Sequence, residues 1–114
     1  MEDCIFCKIV AGEIPCKKVY EDEQVLAFYD VNPAAPVHVL VIPKKHIRDI
    51  TQVSAEDMAI VSAVILTAQK IVKEMNLSED GFRVVINTGK MGGQTVPHLH
   101  FHILGGRMLA WPPG

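Results

Sequence analysis

The apolar positions of the chain change period several times, and each change predicts a new element. Residues 4–11 carry apolar side chains at helical spacing, which predicts a short helix that Gly12 ends. Runs of β-branched and aromatic residues predict strands over 18–21, 25–29, 38–42 and 82–87, and a histidine-rich strand follows a glycine-containing loop at 88–94. The turn at 22–24 predicts that the first two strands form a hairpin.

One long helix is predicted between the third and fourth strands. Ser54 and Asp57 have the spacing of an N-terminal capping box, and the helix continues to about Met75. Its apolar stripe comprises Val61, Val64, Ile65, Ala68, Ile71, Val72 and Met75. The order of elements favours an α+β fold, an antiparallel sheet of about five strands with the long helix on one face.

The most informative pattern lies in the last predicted strand. His98, His100 and His102 are three of the five histidines of the chain, and one apolar residue separates each from the next. Since side chains alternate between the faces of a strand, this spacing predicts the three imidazoles on one face and their apolar neighbours on the other. Such a row is either a set of metal ligands or a nucleophile with assisting histidines, because imidazole binds metals and also attacks phosphorus. An edge strand with histidines by chance is the remaining interpretation.

The loop before this strand favours the nucleophile. Gly92, Gly93, Gln94 and Thr95 offer backbone N–H groups, an amide and a hydroxyl immediately before the imidazoles. Glycines allow the backbone to approach a ligand closely, and successive N–H groups form an anion-binding nest. The sequence therefore predicts a phosphate held by this loop against His100.

Length and composition narrow the class of protein. The 114 residues, of which 49% are hydrophobic, predict a single folded domain over 1–114. A net charge of -2 argues against general binding of nucleic acid or membrane surfaces. The acidic start and the absence of a long apolar run argue against a signal peptide and a membrane span. We expect a cytoplasmic protein with unpaired thiols.

The residues from 92 to 104 resemble the signature of the histidine triad superfamily, in which histidines alternate with apolar residues. Several separated segments also resemble its Hint branch, the histidine triad nucleotide-binding proteins. These segments are Ile5-Phe6, Phe28-Tyr29-Asp30, Ala35-Pro36-Val37-His38, Ile42-Pro43-Lys44-Lys45-His46 and Trp111-Pro112-Pro113-Gly114. The resemblance covers nearly the whole chain and implies a homodimer whose sheets join across the subunits.

The resemblance implies a role for each matching residue. His100 matches the nucleophile, which forms a nucleotidyl-histidine, and His102 and His38 match residues that contact the phosphate and its surroundings. Asp30 matches the carboxylate that binds the ribose hydroxyls. An apolar slot for the base would comprise Ile5, Phe6, Ile9, Phe28, Val31 and Leu40, and contacts to the phosphate or leaving group would come from Asn87, Gly93, Gln94 and Thr95.

Simpler explanations exist for several of these residues. The apolar residues could be core, Asp30 could be a turn residue, and His38 could be a buried histidine with satisfied hydrogen bonds. The sole role of Trp111 could be to pack the C-terminal tail, whereas the resemblance implies that it reaches the partner subunit's site. Lys44, Lys45 and Arg107 are not included in the predicted site.

A second group of residues concerns a metal. Cys4 and Cys7 form a C-x-x-C pair that needs two more ligands for a structural zinc. His46 and His98 are the candidates, and the resemblance to some members of the superfamily implies this set. The alternative is a pair of buried thiols.

Three functions follow. The first is a homodimeric hydrolase of purine nucleoside 5′-phosphoramidates and aminoacyl-adenylates that needs no catalytic metal. The second is a dinucleoside polyphosphate hydrolase, and the third is a zinc-containing nucleotide sensor or interaction module with residual activity. The Gln94-Thr95 pair and the Trp-Pro-Pro-Gly ending argue against the second.

Overall fold

A computed structural model describes residues 3–114, which form an α+β fold. Two helices and five strands follow one another in the order α1 (Ile5–Val10), β1 (Lys18–Glu21), β2 (Val25–Tyr29), β3 (Val37–Pro43), α2 (Met58–Glu74), β4 (Arg83–Val85) and β5 (Phe101–Gly105). Short 3₁₀ turns at Ile50–Gln52 and Ala55–Asp57 precede α2. The predicted fold class is confirmed.

The five strands form one antiparallel sheet in the order β1-β2-β3-β5-β4. The central strand β3 is apolar at almost every position because both faces of the sheet are covered. Val39 and Val41 belong to the core beneath α2, whereas Leu40 and Ile42 pack with Phe6 of α1 on the opposite face. The sheet therefore separates two apolar layers, and the face towards α1 carries the candidate site.

The start of the long helix agrees with the sequence. Ser54 and Asp57 form the predicted capping box, although the first turn is 3₁₀ and α2 begins at Met58. Ile65, which was predicted on the buried stripe, is 49% exposed. The buried face of α2 excludes position 65 and comprises Val64, Thr67, Ala68, Ile71 and Val72.

The histidine-rich segment is less regular than predicted. The strand β5 begins only at Phe101, so His102 lies in the ladder whereas His98 and His100 precede it. Pro97 has no N–H, and the N–H of His98 donates to the Val96 carbonyl, so the backbone bends there. The alternation nevertheless persists, since the apolar residues of the segment, Leu99, Phe101 and Ile103, all belong to the core beneath α2.

The fourth strand is also shorter than predicted, because β4 covers only Arg83–Val85 of the predicted 82–87. It lies at the edge of the sheet and pairs with β5 alone. In the part of the chain that the structure describes, no helix has the length and apolar character needed to cross a membrane.

Candidate active site and metal centre

A cavity of about 1080 Å³ opens on the α1 face of the sheet. Eleven of the predicted site residues line it: Ile5, Phe6, Ile9, Phe28, Asp30, Val31, His38, Leu40, Thr95, His100 and His102. Asn87, Gly93 and Gln94 do not line it. The cavity thus has an apolar part beside α1 and a polar part where three imidazoles meet one carboxylate.

His100 has one ring nitrogen engaged and one free. Its Nδ1 lies 2.7 Å from the backbone carbonyl of His98, so Nδ1–H donates there and the proton of the neutral ring is on that nitrogen. Burial lowers the pKa of His100 against the opposing effect of that carbonyl, which favours the neutral ring at pH 7. Its Nε2 therefore carries a bare lone pair at the cavity wall.

The ring of Phe6 helps to hold His100 in place. The two rings meet edge to face at 90°, with centroids 5.0 Å apart, and Phe6 also packs edge-on against Phe28 at 5.6 Å. Both His100 and Phe6 are at most 6% exposed. Packing and the backbone hydrogen bond together restrict the orientation of the imidazole.

His38 and His102 form a directed pair. The backbone N–H of Ala34 donates to Nδ1 of His38 at 3.0 Å, which leaves the proton of the neutral His38 ring on Nε2. That Nε2 lies 2.9 Å from Nδ1 of His102, so His38 donates to His102. His102 in turn keeps its own proton on Nε2. Burial first, then the nearby His100 and His38, lowers the pKa of His102 to about 4.

Asp30 stands beside His38 at the edge of the cavity. Its Oδ1 accepts the N–H of Asn32, and its Oδ2 lies 3.4 Å from Nε2 of His38. Burial lowers the pKa of His38 although the Asp30 carboxylate opposes this effect, so the contact is not an ion pair at pH 7. Because Nδ1 of His38 accepts from Ala34, the proton of the neutral ring is on Nε2. Binding a metal through Nε2 would therefore require His38 to become an imidazolate, which argues against a cation among Asp30, His38 and His102.

The loop before the histidines is held by its own side chains. The amide of Asn87 donates to the Gly92 carbonyl, and the amide of Gln94 accepts from Gly89 and donates to the carbonyls of Arg48 and Val96. A Cβ at Gly92 would collide with the backbone of Thr88, so the tight fold of the loop requires glycine. Asn87 and Gln94 thus brace the loop that carries Thr95 to the cavity.

Cys4, Cys7, His46 and His98 come together behind Phe6, and their ligand atoms lie within 4.8 Å of one another. Nδ1 of His98 is 3.3 Å from Sγ of Cys4 and 3.5 Å from Sγ of Cys7, and Nδ1 of His46 is 3.2 Å from Sγ of Cys7. Cys4 is the N-cap of α1 and its sulfur accepts the N–H of Cys7. The four residues form one compact thiol and imidazole cluster.

This cluster fits a tetrahedral Zn²⁺. Two thiols and two imidazoles are a common zinc donor set, and zinc-bound histidines usually donate their other N–H to a carbonyl. His98 does this, because its Nε2 lies 2.8 Å from the Pro43 carbonyl and Nδ1 is left for the thiols. Burial lowers the pKa of His98 to about 4, so the ring is neutral and able to act as a ligand at pH 7.

Several residues of the cavity wall were not predicted from the sequence. The segment between α1 and β1 contributes Ile14, Pro15, Cys16 and Lys17, and the remainder are Tyr29, Asn32, Pro33, Pro36 and Val96. The local sequence does not indicate a role in a binding site for these residues. They are ordinary loop and strand residues that only the fold brings to the cavity. Trp111 is 80% exposed and does not line the cavity of its own chain.

The comparisons with known proteins agree with this geometry. The model of the HIT domain family matches residues 11–109, and the chain belongs to this family. An uncharacterised HIT-like protein of Synechococcus elongatus is 56% identical over 113 residues, which is 99% of this chain and 98% of that protein.

Two solved structures have the same fold. A HIT family hydrolase from Legionella pneumophila superposes with a TM-score of 0.96 at 48% identity, over 98% of this chain and 100% of that one. A histidine triad nucleotide-binding protein from Candida albicans superposes with a TM-score of 0.83 at 34% identity, over 96% and 83% of the two chains. The predicted superfamily is therefore confirmed.

Proposed function

We propose that this protein is a hydrolase of the Hint branch that cleaves purine nucleoside 5′-phosphoramidates and aminoacyl-adenylates. The observation that carries the proposal is the hydrogen bond from Nδ1–H of His100 to the His98 carbonyl, which leaves Nε2 as a bare nucleophile at the cavity wall. A nucleophile with its proton already fixed elsewhere needs no separate base.

The reaction has two steps. Nε2 of His100 attacks the α-phosphorus, the P–N bond breaks, and the amine departs with its electron pair and takes a proton from water. Water then attacks the phosphorus of the nucleotidyl-histidine, the bond between phosphorus and Nε2 breaks, and a nucleoside monophosphate leaves as the displaced proton passes to solvent. The Nε2–H of His102, set by His38, supports stabilisation of the charge on the phosphoryl oxygens.

The remaining cavity residues suit a nucleotide. The apolar side chains beside α1 provide a slot for a flat base, as predicted for Ile5, Phe6, Ile9, Phe28, Val31 and Leu40. The Asp30 carboxylate is a suitable acceptor for two ribose hydroxyls. Thr95 offers a hydroxyl near the phosphate, whereas direct contacts from Asn87, Gly93 and Gln94 stay predictions.

The charge of the cavity favours a phosphoramidate over a dinucleoside polyphosphate. Among the described lining residues, Lys17 is the only side chain with a permanent positive charge, and Asp30 opposes it. The histidines are largely neutral at pH 7 because burial lowers the pKa of each. A substrate with one negative charge is therefore accommodated at lower electrostatic cost than a chain of phosphates.

The decisive variant is His100→Ala. We expect it to abolish turnover of adenosine 5′-phosphoramidate while adenosine monophosphate affinity stays within about tenfold, or about 1.4 kcal/mol. Brief reaction of the wild type followed by mass spectrometry should detect the nucleotidyl adduct on His100.

Glu79→Gln, on the exposed turn after α2, serves as the control and should retain both activity and adduct. Turnover in His100→Ala would refute the mechanism. Faster hydrolysis of diadenosine triphosphate than of the phosphoramidate would favour the polyphosphate hydrolase. Bound zinc and nucleotide without turnover of either substrate would favour the sensor.

We further propose that Cys4, Cys7, His46 and His98 hold a structural Zn²⁺. The ion would hold α1 against the segment that leads into His100. It would take no part in the reaction at phosphorus, which His100 and His102 carry out. The donor set, its compactness and the bond from His98 to Pro43 support this assignment.

We also propose that residues 1–114 act as one domain in a cytoplasmic homodimer, whose sheets join at β4. The helix α2 packs mainly on β1 to β3. Val84 faces the same side as its buried neighbour Ile103, yet it is 43% exposed. A second copy would cover this edge, and Trp111 would then reach the partner subunit's cavity as a specificity element.

A further inference from the structure

The segment after β5 contacts the loop that surrounds His38. The guanidinium of Arg107 bridges two backbone carbonyls, since Nη2 donates to Ala34 at 2.9 Å and Nη1 donates to Met108 at 3.0 Å. Within the described residues Arg107 forms no ion pair with a carboxylate. The guanidinium N–H groups instead join the C-terminal segment to the loop at residues 30–36.

Ala34 is held on both of its sides. Its carbonyl accepts from Arg107, and its N–H donates to Nδ1 of His38. The two peptide groups that flank Ala34 are therefore fixed by the tail and by the histidine. Neither Pro33 nor Pro36 has an N–H with which this loop could make an alternative bond.

Gly106 brings the same two segments into close contact. Its φ of +92° lies in the left-handed region that glycine tolerates. A Cβ at this position would lie 2.8 Å from Cβ of Pro36, so a side chain would push the loop away. Two adjacent residues thus form the contact between tail and loop. Gly106 allows the close approach because it has no side chain, and Arg107 donates a hydrogen bond to the loop.

The position of Ala34 decides which nitrogen of His38 carries a proton. With the Ala34 N–H aimed at Nδ1, His38 donates from Nε2 to His102, and His102 keeps its own proton on Nε2. If Ala34 moved away, only the Asp30 carboxylate, 3.4 Å from Nε2 of His38, would favour a proton on that nitrogen, and the other tautomer of His38 could also form. In that tautomer Nε2 of His38 is bare, so either the bond to His102 is lost or His102 moves its proton from Nε2 to Nδ1 and becomes the donor.

We propose that Arg107 is a positioning residue for the reaction, which acts through Ala34 to select the His38 tautomer that orients His102. This inference rests on the proposed function for its kinetic consequence only. The orientation of His102 matters in the transition state, when charge develops on the phosphoryl oxygens, and matters little for binding the base and ribose.

Arg107→Ala tests the proposal by nitrogen-15 NMR of the histidine side chains. In the wild type at pH 7.5 we expect His38 to show a bare Nδ1 and a protonated Nε2. In Arg107→Ala we expect averaged shifts from two exchanging tautomers. Arg107→Lys keeps one donor and should restore most of the wild-type pattern.

Arg83→Ala is the matched control. Arg83 also donates from Nη2 to tail carbonyls, those of Leu109 and Ala110, but among the described residues it makes no hydrogen bond to Ala34. It should therefore keep the His38 tautomer of the wild type, even if it loosens the tail. A change in tautomer common to both variants would mean that tail anchoring in general, and not the contact of Arg107 with Ala34, is responsible.

Kinetics provide the second measurement. We expect Arg107→Ala to lower kcat for adenosine 5′-phosphoramidate by about tenfold with KM within about threefold. An unaltered His38 tautomer in Arg107→Ala would overturn the proposal whatever the value of kcat, and so would an altered tautomer with an unaltered kcat or a loss confined to KM. If the wild type has no phosphoramidase activity, the proposed function fails, and the nitrogen-15 shifts alone still decide whether Arg107 sets the tautomer.

Discussion

The imidazoles at the cavity differ in which nitrogen carries the proton, and a backbone group decides this for His38 and for His100. Nδ1–H of His100 donates to the His98 carbonyl, whereas Nδ1 of His38 accepts a hydrogen bond from the Ala34 N–H. His100 is thereby suited to attack and His38 to donate, although both are buried neutral histidines in one cavity. At the scale of the residue, chemical role follows from the hydrogen-bond partner and not from residue type.

The depressed pKa of His102 predicts a pH effect on stability. A histidine near 6.5 in the unfolded chain and about 4 in the folded chain binds more protons when unfolded, so stability is lost as pH falls through this window. After a discount for the partial exposure of the ring, we expect wild type to lose about 1 kcal/mol more than His102→Gln between pH 7 and pH 5.

Urea unfolding of the two proteins at both pH values measures this difference. The substitution removes one titrating ring, so comparing the two proteins cancels the contributions of groups far from it, and the difference belongs to His102 together with its neighbours His38 and His100. Equal loss of stability in the two proteins would show that His102 titrates normally in the folded chain.

Among the elements, α1 depends most on its surroundings. A helix of six residues is too short to be stable alone, so it must be held by contacts at its ends and along its buried side. Cys4 and Cys7 face the histidines of the cluster, while Phe6 packs on His100. The helix α1 and its N-cap residue together carry half of the proposed zinc ligands, and the helix is also a wall of the cavity.

We expect purified protein to contain about one zinc per chain and Cys4→Ser to contain far less, because each of the four ligands is needed for a closed site. Amide hydrogen exchange in residues 5–10 should become faster in the variant, since α1 loses its anchor. Elemental analysis and mass-spectrometric exchange measure the two effects.

Cys16→Ser is the control for this experiment, because Cys16 is a free thiol outside the cluster. It should retain the zinc and the slow exchange of α1. Equal zinc contents in Cys4→Ser and the wild type would remove Cys4 from the site.

For the whole molecule, the exposed edge at β4 predicts association. Val84 lies on a strand that pairs on one side only, and its side chain is 43% exposed. We expect the wild type to have about twice the 12.6 kDa mass of one chain in solution, and Val84→Asp to shift towards the monomer, because a buried carboxylate opposes the joining of two sheets. Light scattering after size exclusion measures both masses.

Ile50→Asp is a matched control, since Ile50 is a similarly exposed aliphatic residue, at 51%, on a 3₁₀ turn away from β4. It should remain dimeric. A monomeric wild type, or a Val84→Asp variant that stays dimeric, would contradict the proposed interface.

Alternation and spacing made much of the fold predictable. Period-two alternation predicted that Leu99 and Phe101 lie on the face opposite the imidazoles. This holds even where the ladder is interrupted, since extended backbone alternates with or without a partner strand. The capping residues of α2 were visible for the same local reason. The exposure of Ile65 was not visible, because the width of a buried helix face depends on what packs against it.

By itself, the sequence determined the α+β order, the superfamily and the residue types that gather at the cavity, because these depend on periodicity and on motifs of fixed spacing. Only the tertiary structure decided the tautomers of His38 and His100, the bracing role of Gln94 and the contact of Arg107 with Ala34. Each of these depends on a hydrogen bond to a backbone group, which lies 46 and 73 residues away for Gln94 and Arg107 but only 4 and 2 residues away for His38 and His100. Since every residue except proline offers the same backbone donor and acceptor, no pattern of side chains reveals which one will be used.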